Sequence, residues 1–493
     1  MSRRHDRTGR PNVLFIMADQ FRTKTMTGLG DGIETPNIDR IREQAVFFSD
    51  AACTSPLCTP SRASLATGKM PHLCGVMVHD ANLPLDQVTY YQLLRRSGYR
   101  VAVAGKTDLH KMDRSLGETS PMPVAYELGF TDPRWETEGK MNAAYFDLEV
   151  DGKIERVVRH YNRKTKDFDD DAKYGEMIPW GPYQRHLLAK DPEKLRALAK
   201  DYITKIFSGK PYEVHASVLP EEDFLDNFIG DRACDWLREI DDEAPWHFFV
   251  SFAGPHDPWD PPKEELERLG DKIYPTTPSD NMAGKPDWVV KRAHHQSDGM
   301  TEADLNNVKK HYDGAVQAID RQIGRMLDIL EERGLADNTI VIFAADHGEL
   351  MGEHGLFEKD AMYEGCLRVP LLIHLPGMKD AKEVRVQASL HDLAPTILDL
   401  CQAPYDPYAM DAISLVPALE AIAHGEEPKP VRVYQEAELL PTRMMCDGRY
   451  KWIRNMNDAD ELYDLTEDPD ELHNVIDQNP QVMARFRANT FGK

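Results

Sequence analysis

The strongest constraint in this sequence is a set of four apolar runs that stop abruptly on charged or hydrogen-bonding residues. NVLFIMADQ (12–20), YRVAVAGKTDLH (99–110), WHFFVSFAGPHDP (246–258) and NTIVIFAADHGE (338–349) are continuous rather than alternating, and each then turns polar. Continuous apolar strands are buried on both faces, the environment of parallel strands in an α/β sheet. In open sheets of that class, ligands bind beyond the carboxyl ends of the strands. The polar tails are therefore expected to converge on one site.

Helices between the runs support a βαβ arrangement. The clearest starts at Thr301, where Asp304 completes a capping box, and carries Ala315, Ile319, Ile323, Met326 and Leu330 on one stripe. Gly334 is the expected C-terminal stop before the run at 339. HDLAPTILDLC (391–401) reads as a further helix on the sheet. Residues 111–230 show little periodicity, and KDFDDDAKYGEMIPWGPYQRH within them reads as a long loop shaping a pocket. The Pro-, Ala- and Glu-rich stretch 402–430 marks a boundary; beyond it VRVYQEAELL, TRMMCDG and RYKWIRN read as short strands and NPQVMARFRANTF as a helix. The expected fold is α/β: a large mixed, mostly parallel sheet flanked by helices over 1–425, then a smaller antiparallel-sheet subdomain over 426–493.

Charge narrows the partners. Acidic residues outnumber basic ones 83 to 59, for a net charge of −24, and no basic run interrupts the imbalance. Nucleic acid and anionic membranes are poor partners for such a surface, and an anionic small molecule must be drawn in by local cations or a metal. The N-terminal apolar run Val13 to Ala18 is too short for a signal or membrane segment. Seven cysteines (53, 58, 74, 234, 366, 401 and 446) form no CxxC pair. A soluble cytoplasmic protein with reduced thiols is expected. The oligomeric state, homo-oligomer included, stays open.

Asp19-Gln20 and Asp346-His347 close two of the runs, supplying two carboxylates, an amide oxygen and an imidazole. Acids at strand ends often cap the next helix, but two pairs at equivalent positions suit a divalent cation, with the imidazole favouring Mn²⁺. In CTPSRASLATG (58–68), Thr59 fits an N-cap, Pro60 the first helical position and Gly68 the C-terminal stop. Cys58 then lies at a helix N-terminus with Arg62 one turn away, where a thiol becomes acidic and reactive.

These residues carry a resemblance. Cys58-Thr59-Pro60-Ser61-Arg62 matches the C-x-P-S-R signature of the type I sulfatases, members of the alkaline phosphatase superfamily. RPNVLFIMADQ, TPNIDRI, TGKMPH, GKTDLH, GPHDPW, YDGAVQAIDRQIGRML, ADHGELMGEHGLFEK and LYDLTEDPDELHN look like family landmarks in the family's order. The resemblance implies that Cys58 is oxidised to formylglycine by a formylglycine-generating enzyme and that the hydrated aldehyde is the nucleophile. It implies one divalent metal, Ca²⁺ or Mn²⁺ ahead of Mg²⁺, on Asp19, Gln20, modified Cys58, Asp346 and His347. Arg62 would fix the diol, Lys106 and Lys359 would touch the ester oxygens of a small anionic substrate, and His256 would stand near the leaving oxygen.

Two departures stand out. Where sulfatases have G-K-x-H this chain has Asp108, with His110 two places on, so either is a candidate base. The Asp-Gln and Asp-His metal pairs resemble the branch of choline sulfatases and phosphonate monoester hydrolases, while Lys106 replaces the tyrosine that the phosphonate enzymes tend to have. The expected activity is hydrolysis of a sulfate monoester of arylsulfatase type; the alternative is phosphonate monoester or phosphodiester hydrolysis on the same site. Trp180, Tyr183, His215, Trp259 and Trp288 are candidates for lining the substrate pocket.

Overall fold

A computed structural model describes residues 9–111, 122–208, 210, 213–241 and 243–489. Its frame is an eight-stranded sheet. In chain order the strands are β1 (Asn12–Ala18), β2 (Val46–Phe48), β3 (Arg100–Lys106), β4 (Asp132–Thr137), β5 (Trp246–Phe252), β6 (Thr339–Ala345), β7 (Leu371–His374) and β8 (Lys382–Val384). Across the sheet they run β8-β2-β7-β6-β1-β5-β3-β4, and β7 alone is antiparallel to its neighbours. This is the mixed, mostly parallel α/β sheet that the apolar runs predict.

Register explains why the polar tails meet. Ala18 at the end of β1 pairs with Phe252 on one side and Ala345 on the other, and Ser251 of β5 pairs with Gly105. Four carboxyl ends are thus level on adjacent strands. Every residue of β1, β5 and β6 is buried, and each large apolar side chain so buried contributes roughly 1.5–3 kcal/mol. Gly105 is needed for the close approach of β3: its φ is +95°, and a Cβ there would lie 1.9 Å from Ser251 O.

Three helices matter for the site: α1 (Cys58–Thr67), α2 (Leu225–Glu239) and α3 (Glu302–Glu332). The capping box of Thr301 and Asp304 opens α3, its predicted apolar stripe is buried, and α2 packs between α3 and β5. Gly334 follows with φ +64°. The 391–401 stretch forms the helix Leu393–Leu400.

Residues 122–208 are more ordered than the expected loop. Strands Phe146–Val150, Lys153–Arg156 and Met177–Pro179 form a small antiparallel sheet, followed by helices Pro182–Lys190 and Pro192–Ser208. Within KDFDDDAKYGEMIPWGPYQRH, Asp169 caps a short helix by accepting from Ala172 N at 3.1 Å, and Pro182 opens the next. The short strands carry too little periodicity to stand out, and burial of Phe146 and Leu148 holds them instead. Pro192–Ser208, by contrast, does carry a helical stripe, Leu195, Leu198, Ala199, Tyr202 and Ile203, that the loop reading passed over.

Near the end of the chain, β9 (Gln435–Leu439), β10 (Thr442–Cys446), β11 (Tyr450–Asn455) and β12 (Glu461–Asp464) make an antiparallel sheet in sequence order. Its first strand starts at Gln435, later than the apolar pattern from Val431 implied, and β12 lies in LYDLTEDPDELHN, where no strand was expected. Alternation divides its faces: Met444, Cys446, Ile453 and Tyr463 join the main core, while Met445, Trp452 and Leu462 pack on Met483 and Phe486 of α4 (Pro480–Ala488). Among the described residues no helix is long and apolar enough to cross a membrane.

Candidate active site

Asp19 and Gln20 follow β1, Lys106 closes β3, the GPHDP turn follows β5, and Asp346-His347 follow β6. The turn is tied down twice: Asp226 Oδ1 of α2 accepts from Ala253 N (2.8 Å) and Gly254 N (3.1 Å), and Asp19 N donates to Gly254 O at 3.0 Å. Helix α1 points its N-terminus at this rim. Leu57 is its N-cap and Cys58 its first residue, two positions earlier than the Thr59 cap and Pro60 start expected from the sequence. The Thr59 hydroxyl lies instead within reach of Asp108 Oδ2 (2.7 Å) and His79 O (2.9 Å). Gly68 ends the helix at φ +66° as expected.

Asp19, Cys58, Asp346 and His347 each present one donor atom within 4.8 Å of the others, and all four residues are buried. Cys58 Sγ lies 3.1 Å from His347 Nε2 and 3.6 Å from Asp19 Oδ1, while His347 Nε2 is 3.7 Å from Asp19 Oδ1 and 3.8 Å from Asp346 Oδ1. Neighbouring ligands bonded at about 2.3–2.6 Å to one hard cation, roughly at right angles, stand about 3.3–3.7 Å apart, so the set fits a single ion. His347 Nδ1 meets Gly348 O at 2.9 Å, which leaves Nε2 as the atom turned toward Cys58 and Asp19 and able to ligate. Gln20 joins them with a left-handed backbone, φ +64°, and its N–H donates to Asp346 Oδ1 at 3.1 Å. A strained, buried non-glycine residue of this kind is characteristic of functional sites.

Three cations face the acids. Arg62 donates from Nε to Asp346 Oδ2 at 2.7 Å and from Nη1 to Lys106 O and Ser251 Oγ, both at 2.8 Å. Lys106 Nζ bonds Asp19 Oδ2, and Lys359 Nζ reaches Gln20 Oε1 at 2.7 Å and His256 Nε2. Burial and the Asp19 charge push the Cys58 thiol up, but Lys106, Lys359 and His347 outweigh them and bring it down to about 5. Burial would also raise Asp19, yet Lys106, His256, Arg62 and His347 hold it well below the usual carboxylate range. A net-negative protein thus concentrates positive charge at one rim.

Of the residues singled out from sequence, Asp19, Gln20, Cys58, Arg62, Lys106, His256, Asp346, His347 and Lys359 come together. His110 does not join them: its Nδ1 meets Lys111 O at 2.9 Å. Asp108 does, and with it a residue that sequence reasoning missed. His79 presents a ring nitrogen within 4.8 Å of both Cys58 and Asp108, and Lys111 Nζ lies 3.1 Å from Thr59 Oγ1. His79 lies in HLCGVMVHD, which carries no spacing signal. Of the aromatic candidates, Trp180 and Tyr183 are core residues, His215 pairs with Asp201 at 2.7 Å, and Trp288 donates to Asn455 Oδ1 at 3.2 Å. Trp259 lines a cavity of about 350 Å³ beside the site, together with Met141, Asp257, Pro258, Gln296 and Glu358.

Comparison with known proteins places this arrangement. A choline-sulfatase from Rhizobium meliloti (strain 1021) is 28% identical over 96% of this chain and 84% of its own length. An arylsulfatase from Clostridium perfringens (strain 13 / Type A) is 27% identical over 95% of this chain and 90% of its own. The crystal structure of a phosphonate monoester hydrolase from Agrobacterium radiobacter superposes with a TM-score of 0.72 at 23% identity, covering 97% of this chain and 93% of that one. A family model described as N-sulphoglucosamine sulphohydrolase, C-terminal, matches residues 352–488. The sulfatase family model matches residues 11–403, so the chain belongs to the sulfatase family.

Proposed function

We propose that the protein hydrolyses a sulfate monoester, with Cys58 in its formylglycine form as nucleophile and one divalent cation, Ca²⁺ or Mn²⁺ ahead of Mg²⁺, held by Asp19, Gln20, residue 58, Asp346 and His347. The observation that carries this reading is the meeting of Cys58 with Asp19, Asp346 and His347 at the mouth of α1. A bound cation there lowers the pKa of the attacking hydroxyl and polarises an ester oxygen.

The remaining work falls to the chain's own side chains. Arg62, anchored to Asp346, Lys106 O and Ser251, orients residue 58. Lys106 and Lys359 point fixed positive charge at the transferred group, where negative charge grows in the transition state. His256 delivers a proton to the leaving oxygen: burial lowers its pKa, but Asp257, Asp19 and the Cys58 contact together outweigh burial and Lys359 and raise it above the usual imidazole range. Asp108 is a poor base: although burial raises it, Lys106 and Lys111 hold it ionised far below the carboxylate range. His79 is the better one. Partial burial, aided by Lys111, keeps it below the imidazole range against the pull of Asp108; its ring lies within 4.8 Å of Cys58 Sγ, and its Nδ1 meets Thr59 Oγ1 at 3.4 Å.

The names of the two sulfatase relatives favour sulfate, and so does Lys106, a full charge where a phosphonate specialist is expected to carry tyrosine. The second reading, a phosphonate monoester or phosphodiester hydrolase, draws on the shared fold. Comparing kcat/KM for matched aryl sulfate and aryl phosphonate esters, before and after chelation and with Mn²⁺ or Ca²⁺ restored, decides between them. Preference for sulfate with loss on chelation is expected. Preference for phosphonate would adopt the second reading, and cleavage of neither would reject both.

A further inference from the structure

Glu349 follows His347 by two residues, is fully buried and has no role in the chemistry described so far. N–H donors surround it: Oε1 accepts from Met351 N at 2.8 Å and from Glu358 N at 2.7 Å, and Oε2 accepts from Gln20 Nε2 at 2.5 Å.

The last contact bears on how Gln20 can act as a ligand. A primary amide has two ends of nearly equal shape and opposite hydrogen-bonding sense, so its orientation is set by its partners. The backbone of Gln20 is held at both groups: its N–H donates to Asp346 Oδ1, and its carbonyl accepts from Tyr312 Oη at 2.8 Å. Rotation of the terminal amide is the freedom that remains. Lys359 Nζ donates to Oε1, while Glu349 Oε2, with Asp257 Oδ1 at 3.4 Å, accepts from Nε2. Turned over, the amide would set N–H against an ammonium and C=O against a carboxylate. Both buried ends would then lose their hydrogen-bond partners and face like charge, so that orientation is disfavoured.

The geometry points to Glu349 as a positioning residue that fixes the Gln20 amide with its oxygen facing the cation site, and that also ties the segment leading to Lys359 through Glu358 N. This rests on the metal-site reading above and adds to it a residue that touches neither ion nor ester. Partners of this kind behind a ligand set its orientation, and their loss typically costs about 10–100-fold in metal affinity.

Glu349→Gln discriminates, because its Oε1 can still accept from Met351 N and Glu358 N while its Nε2 faces Gln20 Nε2. Mn²⁺ titration of the purified protein, read by the electron paramagnetic resonance of the free ion, is expected to show affinity about 10–100-fold below wild type. The metal-free variant should still unfold cooperatively, with a thermal midpoint no more than about a few degrees below wild type. The exchange Gln20→Glu with Glu349→Gln restores one carboxylate facing one amide and should recover most of the affinity. This second variant also keeps the test alive if the first does not fold. Wild-type affinity in Glu349→Gln, or a folded exchange variant with no recovery, would overturn the proposal. A wild-type protein that binds no Mn²⁺ would reject the metal-site reading itself, and the proposal with it.

Discussion

The Arg62 guanidinium and the Asp346 carboxylate meet at 2.7 Å with neither side chain more than 2% exposed, and the same guanidinium reaches β3 and β5 through Lys106 O and Ser251 Oγ. One side chain therefore joins α1 to three strands. Arg62→Ala leaves buried acids uncompensated and should cost about 3–5 kcal/mol in urea unfolding of the metal-free protein. Arg62→Lys keeps the charge but loses the planar fork, so part of the stability should return while activity stays low.

Lys359 touches Gln20 and His256 and is slightly exposed at 12%, so the fold depends on it less than on Arg62. Lys359→Ala should lower kcat by about 10²–10³. Steady-state kinetics on an aryl sulfate, with circular dichroism confirming the fold, checks this.

The base assignment separates two histidines. His79→Ala should lower kcat by about 10²–10⁴, the usual worth of a general base, whereas His110→Ala should leave kcat within about twofold of wild type. The reverse pattern would return the role to His110 and require the 107–111 loop to rearrange.

Much of this centre was legible in the sequence because continuous apolar strands end where their chemistry begins. The tails of β1 and β6 named Asp19, Gln20, Asp346 and His347, the α1 start named Cys58 and Arg62, and the family resemblance added Lys106, His256 and Lys359. His79 was not legible, since it comes from a connecting segment whose path depends on packing rather than period. Glu349 was missed for another reason: it lies inside a quoted motif, but its partner Gln20 is 329 positions away. The small sheet over 146–179 escaped because strands of three to five residues leave too short a pattern to read.

Glu136 on β4 offers a pH test away from the ligands. Burial pushes its carboxyl up from 4.5 to about 8 against the Thr107 hydrogen bond, with Glu138 and Asp108 adding to the rise. The folded state thus holds a proton that the unfolded chain has released across that window. The stability it contributes is full below 4.5 and is lost as pH rises through 8. Glu136→Gln stays neutral, so its unfolding midpoint should fall less than that of wild type between those limits and should exceed wild type above them.

The account turns on residue 58, and peptide mass spectrometry of protein active on an aryl sulfate addresses it directly. The peptide spanning Cys58 should be lighter by about 18 Da than its thiol form, the difference between a cysteine and a formylglycine side chain. Fully active protein carrying only the unmodified thiol at position 58 would contradict it.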